Sequence, residues 1–150
     1  MTRPLDGQVV AAKVQAAVPG AVKSVGAHEV LVAKDKVLAV ARFVFDDHEL
    51  AFNYLVSLTS VDYIDYFEVV YRLVSMRYNH SVVMKTRAHE REEPAVPSVV
   101  SVWLGADFQE REVYDLMGVR FQGHPNLKRI MLWEGFEGHP LRKDFLLNRP

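Results

Sequence analysis

The densest group of side chains able to move protons is the run Glu110-Arg111-Glu112-Val113-Tyr114-Asp115. On a helix, Arg111 and Asp115 form an i,i+4 pair, while Glu112 and Asp115 are i,i+3 and share a face with Phe108. Paired carboxylates in a cleft can do general acid–base work. On an amphipathic helix the same charges are solvated, or pair with basic residues such as Arg129, Arg142 or Lys143. No nucleophile or metal signature accompanies the run, which favours the second reading and assigns no catalytic residue.

Two histidines sit in an echoed context. Phe121-Gln122-Gly123-His124-Pro125 returns fifteen residues later as Phe136-Glu137-Gly138-His139-Pro140. Two loop histidines with Asp144 or Glu137 could ligate a metal. Without cysteine or a His-Glu-x-x-His helix, the spacing instead predicts two tight turns whose imidazoles bond backbone groups. Gly118 to Pro125 has the glycine spacing of a phosphate-binding loop, but His124 and Pro125 stand where Lys and Ser or Thr are required. Pro125 also lacks the N–H that such a cradle uses. There is no G-x-G-x-x-G, so a dinucleotide fingerprint is missing as well.

These residues belong to a chain of 150, the size of one domain. Hydrophobic residues make up 49% and charged residues 25%, which suits an ordinary globular core. Lys and Arg number 18 against 19 Asp and Glu, a net charge of −1, so no basic field points to nucleic acid. The absence of cysteine excludes disulfides, a thiol nucleophile and Cys-ligated clusters on this chain. Met1–Val10 has no apolar core of signal-peptide length, and no run approaches the roughly 18 apolar residues of a membrane span. A cytosolic face is therefore the default expectation.

The elements that must position the motifs are read from periodicity. Val10, Val14, Ala17 and Val18 predict a helix over 6–18, stopped by Pro19-Gly20. Glu29–Ala33 and Lys36–Arg42 read as a β-hairpin around Lys34-Asp35. Asp46 with Glu49 resembles a capping box, and Leu50, Tyr54, Leu55 and Leu58 then predict a helix over 47–58. Tyr66–Met76 and Val82–Ala88 predict a second hairpin turned at Tyr78-Asn79-His80. A last helix is expected over 106–117, ended by Gly118 in the left-handed conformation. This order predicts an α+β two-layer domain, with two β-hairpins forming a sheet packed against helices.

Residues 1–118 read as the core and 119–150 as an irregular, extended C-terminal segment of the same domain. One helical turn is conceivable at Asn126–Trp133. The segment is rich in apolar anchors, among them Phe121, Ile130, Trp133, Leu141 and Leu147. Disordered segments lack such residues. Extended chain packed over its own domain, a partner, or both accounts for them. Charge is divided too: residues 43–71 carry six acidic groups and no Lys or Arg, while 120–150 carry six basic against three acidic. Such asymmetry can orient docking; a solvated acidic face and a basic tail explain it equally well.

Four stretches together resemble a known family. Pro97-Ser98-Val99 to Trp103, EREVYDLMG (Glu110–Gly118), FQGHPNLKRIM (Phe121–Met131) and EGHPLRKDF (Glu137–Phe145) look like the thirty-kilodalton subunit family of respiratory complex I, the C subunit of bacterial NADH:quinone oxidoreductase. Leu58–Tyr63 and Tyr71–Ser75 resemble it more loosely, and the first 45 residues carry little of it.

The resemblance implies a non-catalytic subunit of the peripheral arm, on the cytoplasmic side of the inner membrane. It implies no cofactor on this chain, with FMN and iron–sulfur clusters on partner subunits. The implied partners are the large quinone-site subunit and neighbouring cluster-bearing subunits of complex I, with membrane association only through the complex. Scaffold or interface roles are expected for Glu110, Arg111, Glu112, Tyr114, Asp115, Gly118, Gly123, His124, Pro125, Gly138, His139, Pro140, Arg142, Lys143 and Asp144. Arg142, Lys143 and Asp144 are expected to bridge to the partner. Alternatives are the equivalent subunit of a membrane-bound hydrogenase or other donor-driven relative, and a free-standing hydrolase using His124 and His139.

Overall fold

A computed structural model describes residues 1–146; Leu147 and Arg149, an apolar anchor and a basic group of the C-terminal segment, lie outside the described residues. Asp6 opens helix α1 (Gly7–Ala17) by accepting the Gln8 N–H at 2.8 Å. Val10, Ala11 and Val14 form its buried stripe. Gly7 has no alternative: a Cβ there would lie 2.2 Å from the Gly26 carbonyl oxygen. The expected helix over 6–18 is present.

The main sheet contains β1 (Arg3–Pro4), β2 (Val22–Val25), β3 (Glu29–Val32), β4 (Tyr54–Asp62), β5 (Phe67–Ser75) and β6 (His80–Ala88). Its order is β2-β3-β6-β5-β4, with β1 also paired to β6. Strand β5 runs antiparallel to both β4 and β6, whereas β1 and β3 lie parallel to β6. The β5–β6 hairpin is the predicted one, and Asn79 takes φ 54° in its turn, a conformation asparagine tolerates.

Two predicted elements are corrected. Lys36–Arg42 is not a strand. Helix α2 (Val37–Asp46) occupies it, burying Val37, Val40, Ala41 and Val44 at helical spacing. Residues 47–58 are not a helix either: Asp47 Oδ1 accepts the Glu49 and Leu50 N–H groups in a turn, and β4 begins at Tyr54. A β-bulge between Leu55 and Ser57 places Leu55 and Leu58 both inward, three residues apart, which imitates a helical period.

Helix α1 packs against α2, β2 and β3. The third helix, α3 (Ala106–Met117), lies beside edge strand β4, where Gln109 Oε1 accepts the Leu58 N–H at 2.6 Å. It is bracketed by β7 (Ala95–Pro97) and β8 (Arg120–Gln122), which pair in parallel as a second small sheet. Trp103 pins the loop entering α3, its indole N–H donating to the Phe52 carbonyl at 2.9 Å. Gly118 ends α3 at φ 76°, as predicted. The domain is α+β.

Candidate functional site

Two fully buried carboxylates on α3 organise the motifs. Glu110 receives the Ser98 hydroxyl on Oε2 at 2.7 Å and the Val99 N–H on Oε1 at 2.8 Å. Beside it, His124 Nδ1 accepts the Asn126 N–H at 2.9 Å, which leaves the neutral ring's hydrogen on Nε2. Nε2 lies 3.1 Å from the Asp107 carbonyl oxygen and 3.9 Å from Glu110 Oε2. Gly123 takes φ 85° to turn the chain here, with Pro125 exposed beyond it. Burial raises the Glu110 acid to about 7, against the opposing effects of its two donors and of His124.

Asp115 has a different environment. Its Oδ1 takes the Arg129 guanidinium at 2.7 Å, and Oδ2 takes the consecutive N–H groups of Ile130, Met131 and Leu132 at 3.2, 2.7 and 2.9 Å. Burial would raise this carboxyl, but those backbone donors and Arg129 hold it below the ordinary value. The conceivable helical turn at 126–133 is therefore replaced by a loop wound on Asp115. The Arg111–Asp115 pair that i,i+4 spacing allows does not form, and pairing with Arg129, one of the basic residues read as partners, does. Arg111 instead donates to the Lys128 and Arg129 carbonyls at 3.1 and 3.2 Å, while Arg129 is the cation on Asp115.

The carbonyls left over at the C-terminus of α3 are satisfied by its Gly118 cap and by the chain that follows. Gly118 N–H donates to the Tyr114 carbonyl, His139 Nδ1 lies 2.8 Å from the Asp115 carbonyl oxygen, and Leu141 N–H reaches the Leu116 carbonyl at 2.9 Å. Tyr114, one of the residues expected to serve as scaffold or interface, is half-buried with its ring centre 6.0 Å from that of His139. Gly138 turns at φ 89°, where a Cβ would meet the Phe145 ring at 2.9 Å. Glu112 is exposed and lines a groove against β4, and Pro140 is half-buried.

A third clamp fixes residues 142–144. Arg91 grips Asp62 with two nitrogens at 2.6 and 2.7 Å, and the Lys143 N–H donates to Asp62 Oδ2 at 2.8 Å. Asp144 bridges Arg91 at 3.2 Å and Arg142 at 3.1 Å, and Arg142 also donates to the Arg91 carbonyl. Arg91's hydrogen bonds hold the Asp62 carboxyl well below the usual range. Asp62 and Arg91 are 29 residues apart; Asp62 falls in the loosely matching Leu58–Tyr63 stretch, but no local spacing announces this clamp. The charges of Arg142 and Asp144, expected to bridge to a partner, are engaged within the chain.

The two Gly-His-Pro turns do not share a centre. His124 meets α3 at Asp107 and His139 meets it at Asp115, eight residues or about 12 Å apart along the helix. A hydrolase site built from both imidazoles is thereby overturned. Each ring faces a backbone carbonyl, as turn formation predicts. Together the contacts hold residues 123–146 as irregular chain across α3 while leaving apolar side chains outside: Met131, Trp133 and Leu146 are 64%, 69% and 82% exposed.

Residues 30–150 match the family model of the respiratory-chain NADH dehydrogenase 30 Kd subunit. The chain belongs to this family. Among relatives of the 30 Kd subunit, the C subunit of NADH-quinone oxidoreductase from Roseiflexus castenholzii is 44% identical over 147 residues, covering 93% of this chain and 84% of the relative. The C subunit from Hyphomonas neptunium is 43% identical over 145 residues, covering 92% and 71%. Among solved structures, a chain of the membrane-bound sulfane sulfur reductase, an archaeal respiratory membrane complex, superposes with a TM-score of 0.72 at 26% identity, covering 94% of this chain and 86% of that one. No helix among the described residues of this 30 Kd family member is long and apolar enough to cross a membrane.

Proposed function

We propose that this chain is a non-catalytic structural and assembly subunit of the peripheral arm of a proton-translocating NADH:quinone oxidoreductase. In this reading it docks on the quinone-site subunit and neighbouring cluster-bearing subunits, at the cytoplasmic face of the inner membrane. FMN and iron–sulfur clusters belong to those partners. The observation that carries the reading is the ordered tail: a long irregular segment is pinned by three buried or half-buried clamps, yet turns Met131, Trp133 and Leu146 to solvent. Fixing such a segment costs conformational entropy, and exposed apolar side chains return none of it until a partner covers them.

Detergent purification through a tag on this chain, followed by mass spectrometry and flavin and iron assays, tests the reading. Recovery of a multi-subunit assembly that reduces quinone with NADH is expected, with flavin and iron on other chains. Recovery of the chain alone contradicts it. A second reading, the equivalent subunit of a hydrogenase or other donor-driven assembly, is favoured by the likeness to the sulfane sulfur reductase chain. A different input module in the same purification would select it.

A further inference from the structure

We infer that the cluster beneath the first half of α3 is an internal proton-binding site, in which Glu110 takes up a proton from water and holds it between α3 and the Ser98–Val100 segment. The proposal is independent of which complex the chain joins. It starts from an imbalance between two carboxylates of one helix. Asp115 has four N–H donors, three consecutive backbone groups and a guanidinium. Glu110 is likewise shielded from solvent, lies deeper, and has two neutral donors, the Ser98 hydroxyl and the Val99 N–H. A buried carboxylate without a cation keeps its proton at pH values where an exposed one has lost it.

The groups facing Glu110 reinforce this. From α3 itself comes Asp107, a second acid whose charge opposes another. From β5 comes Tyr71, whose hydroxyl is buried without a hydrogen-bond partner and is driven further from ionisation by burial and by Glu110. From the turn after β8 comes His124, the one basic group in ion-pair range of Glu110 among the described residues. Its Nε2 lies closer to Asp107, 3.1 Å from both the carbonyl oxygen and Oδ1, than to Glu110. The loop entering α3 supplies only Ser98 and Val99.

The bound proton has a place in the existing network. On Oε2 it donates to Ser98 Oγ, reversing the 2.7 Å bond, and that oxygen also accepts the Val100 N–H at 3.2 Å. On release, the carboxylate is an anion whose donors are Ser98 on Oε2 and Val99 on Oε1 alone. Proton uptake moves no electrons and breaks no covalent bond other than O–H.

The test is infrared spectroscopy of the full chain across about pH 5 to 9, following the carbonyl stretch of an un-ionised carboxylic acid, with thermal unfolding measured alongside. The expected band persists to near neutrality, titrates away above it, and is absent in Glu110→Gln, which keeps the shape and both polar contacts. Asp107→Asn should move the midpoint to lower pH by removing a like charge, and Ser98→Ala should move it higher. If Glu110→Gln fails to fold, the opposite shifts of those two variants decide the matter. A band lost by about pH 5, one that survives in Glu110→Gln, or a midpoint unmoved by both other variants overturns the proposal.

Discussion

Asp115 and Arg129 are 14 residues apart in the chain and meet at 2.7 Å, and around that contact the chain after α3 changes from a free tail into a fixed surface. Arg129 continues outward to the Phe136 and Gly138 carbonyls at 2.9 and 3.0 Å, so one guanidinium ties together the helix, the 130–132 loop and the second Gly-His-Pro turn. The pair is a hub because each partner is saturated by groups from different segments. Removing either leaves the other without its opposite charge.

Asp115→Ala should therefore cost about 3–5 kcal/mol, the range for breaking a buried pair, toward its lower end because Arg129 keeps some solvent access. Thermal unfolding gives the loss, and limited proteolysis locates it: new cleavage should fall within residues 126–146. Unchanged protection there would remove Asp115 from its hub role.

Gly118 carries two constraints that can be separated. Any Cβ costs roughly 1–2 kcal/mol in the left-handed conformation, and here it would also approach His139 Cδ2 at 2.7 Å. Gly118→Ala should lower the unfolding midpoint. Adding His139→Ala should relieve the collision, so that the double variant loses less than the sum of the two singles. Strict additivity would mean that the ring moves aside freely.

Ile64 offers a test in the opposite direction. This β-branched residue holds φ 73° at the β4–β5 turn, kept there by its own N–H to Asp62 Oδ1 at 2.8 Å, and its side chain is exposed. Ile64→Gly should stabilise the isolated chain by about 1 kcal/mol, since the left-handed penalty vanishes and little packing is lost. A destabilised variant would show that the Ile64 side chain contributes contacts worth more than the strain.

Acid should release the tail before it unfolds the sheet. Asp62 and Asp115 have folded values below the ordinary 3.8, so the stability they contribute is complete above that value and fades as pH falls through the depressed ones. Glu110 acts with the other sign: raised to about 7, it binds more protons folded than unfolded between 4.5 and that value, so its contribution falls as pH rises through this window. Amide exchange at Met131, Leu132 and Lys143, which donate to those two aspartates, should accelerate first on acidification. Simultaneous loss of protection in β5 and β6 would contradict the order.

Much of the scaffold was legible in the chain, and the misses have physical causes. The stripe in α1, the β5–β6 hairpin and the Gly118 stop follow from local pattern, and the structure keeps them. Valine-rich α2 reads as a strand residue by residue; only the wider spacing of Val37, Val40, Ala41 and Val44 reveals the helix, because burial against the sheet overrides propensity. The bulge at β4 disguises a strand as a helix. In the site, the two Gly-His-Pro turns were visible as turns and Arg129 was among the basic partners read for the helix charges, but its selection for Asp115 over Arg142 and Lys143 was not legible. That choice depends on how the 128–132 loop winds, which no i,i+4 spacing encodes.

The central claim is that the fixed tail is a docking surface, and the double variant Met131→Asp, Trp133→Asp tests it most directly. Both side chains are mostly exposed, and Trp133 meets Phe136 only at the edge, with ring centres 4.9 Å apart. The measurement is recovery of co-purifying subunits through a tag on this chain, beside thermal unfolding of the isolated variant. An unfolding midpoint close to that of the parent chain, with at least about tenfold less partner recovered, is the predicted result, corresponding to about 1.4 kcal/mol of lost association. Full recovery of the assembly with both aspartates in place would contradict the claim.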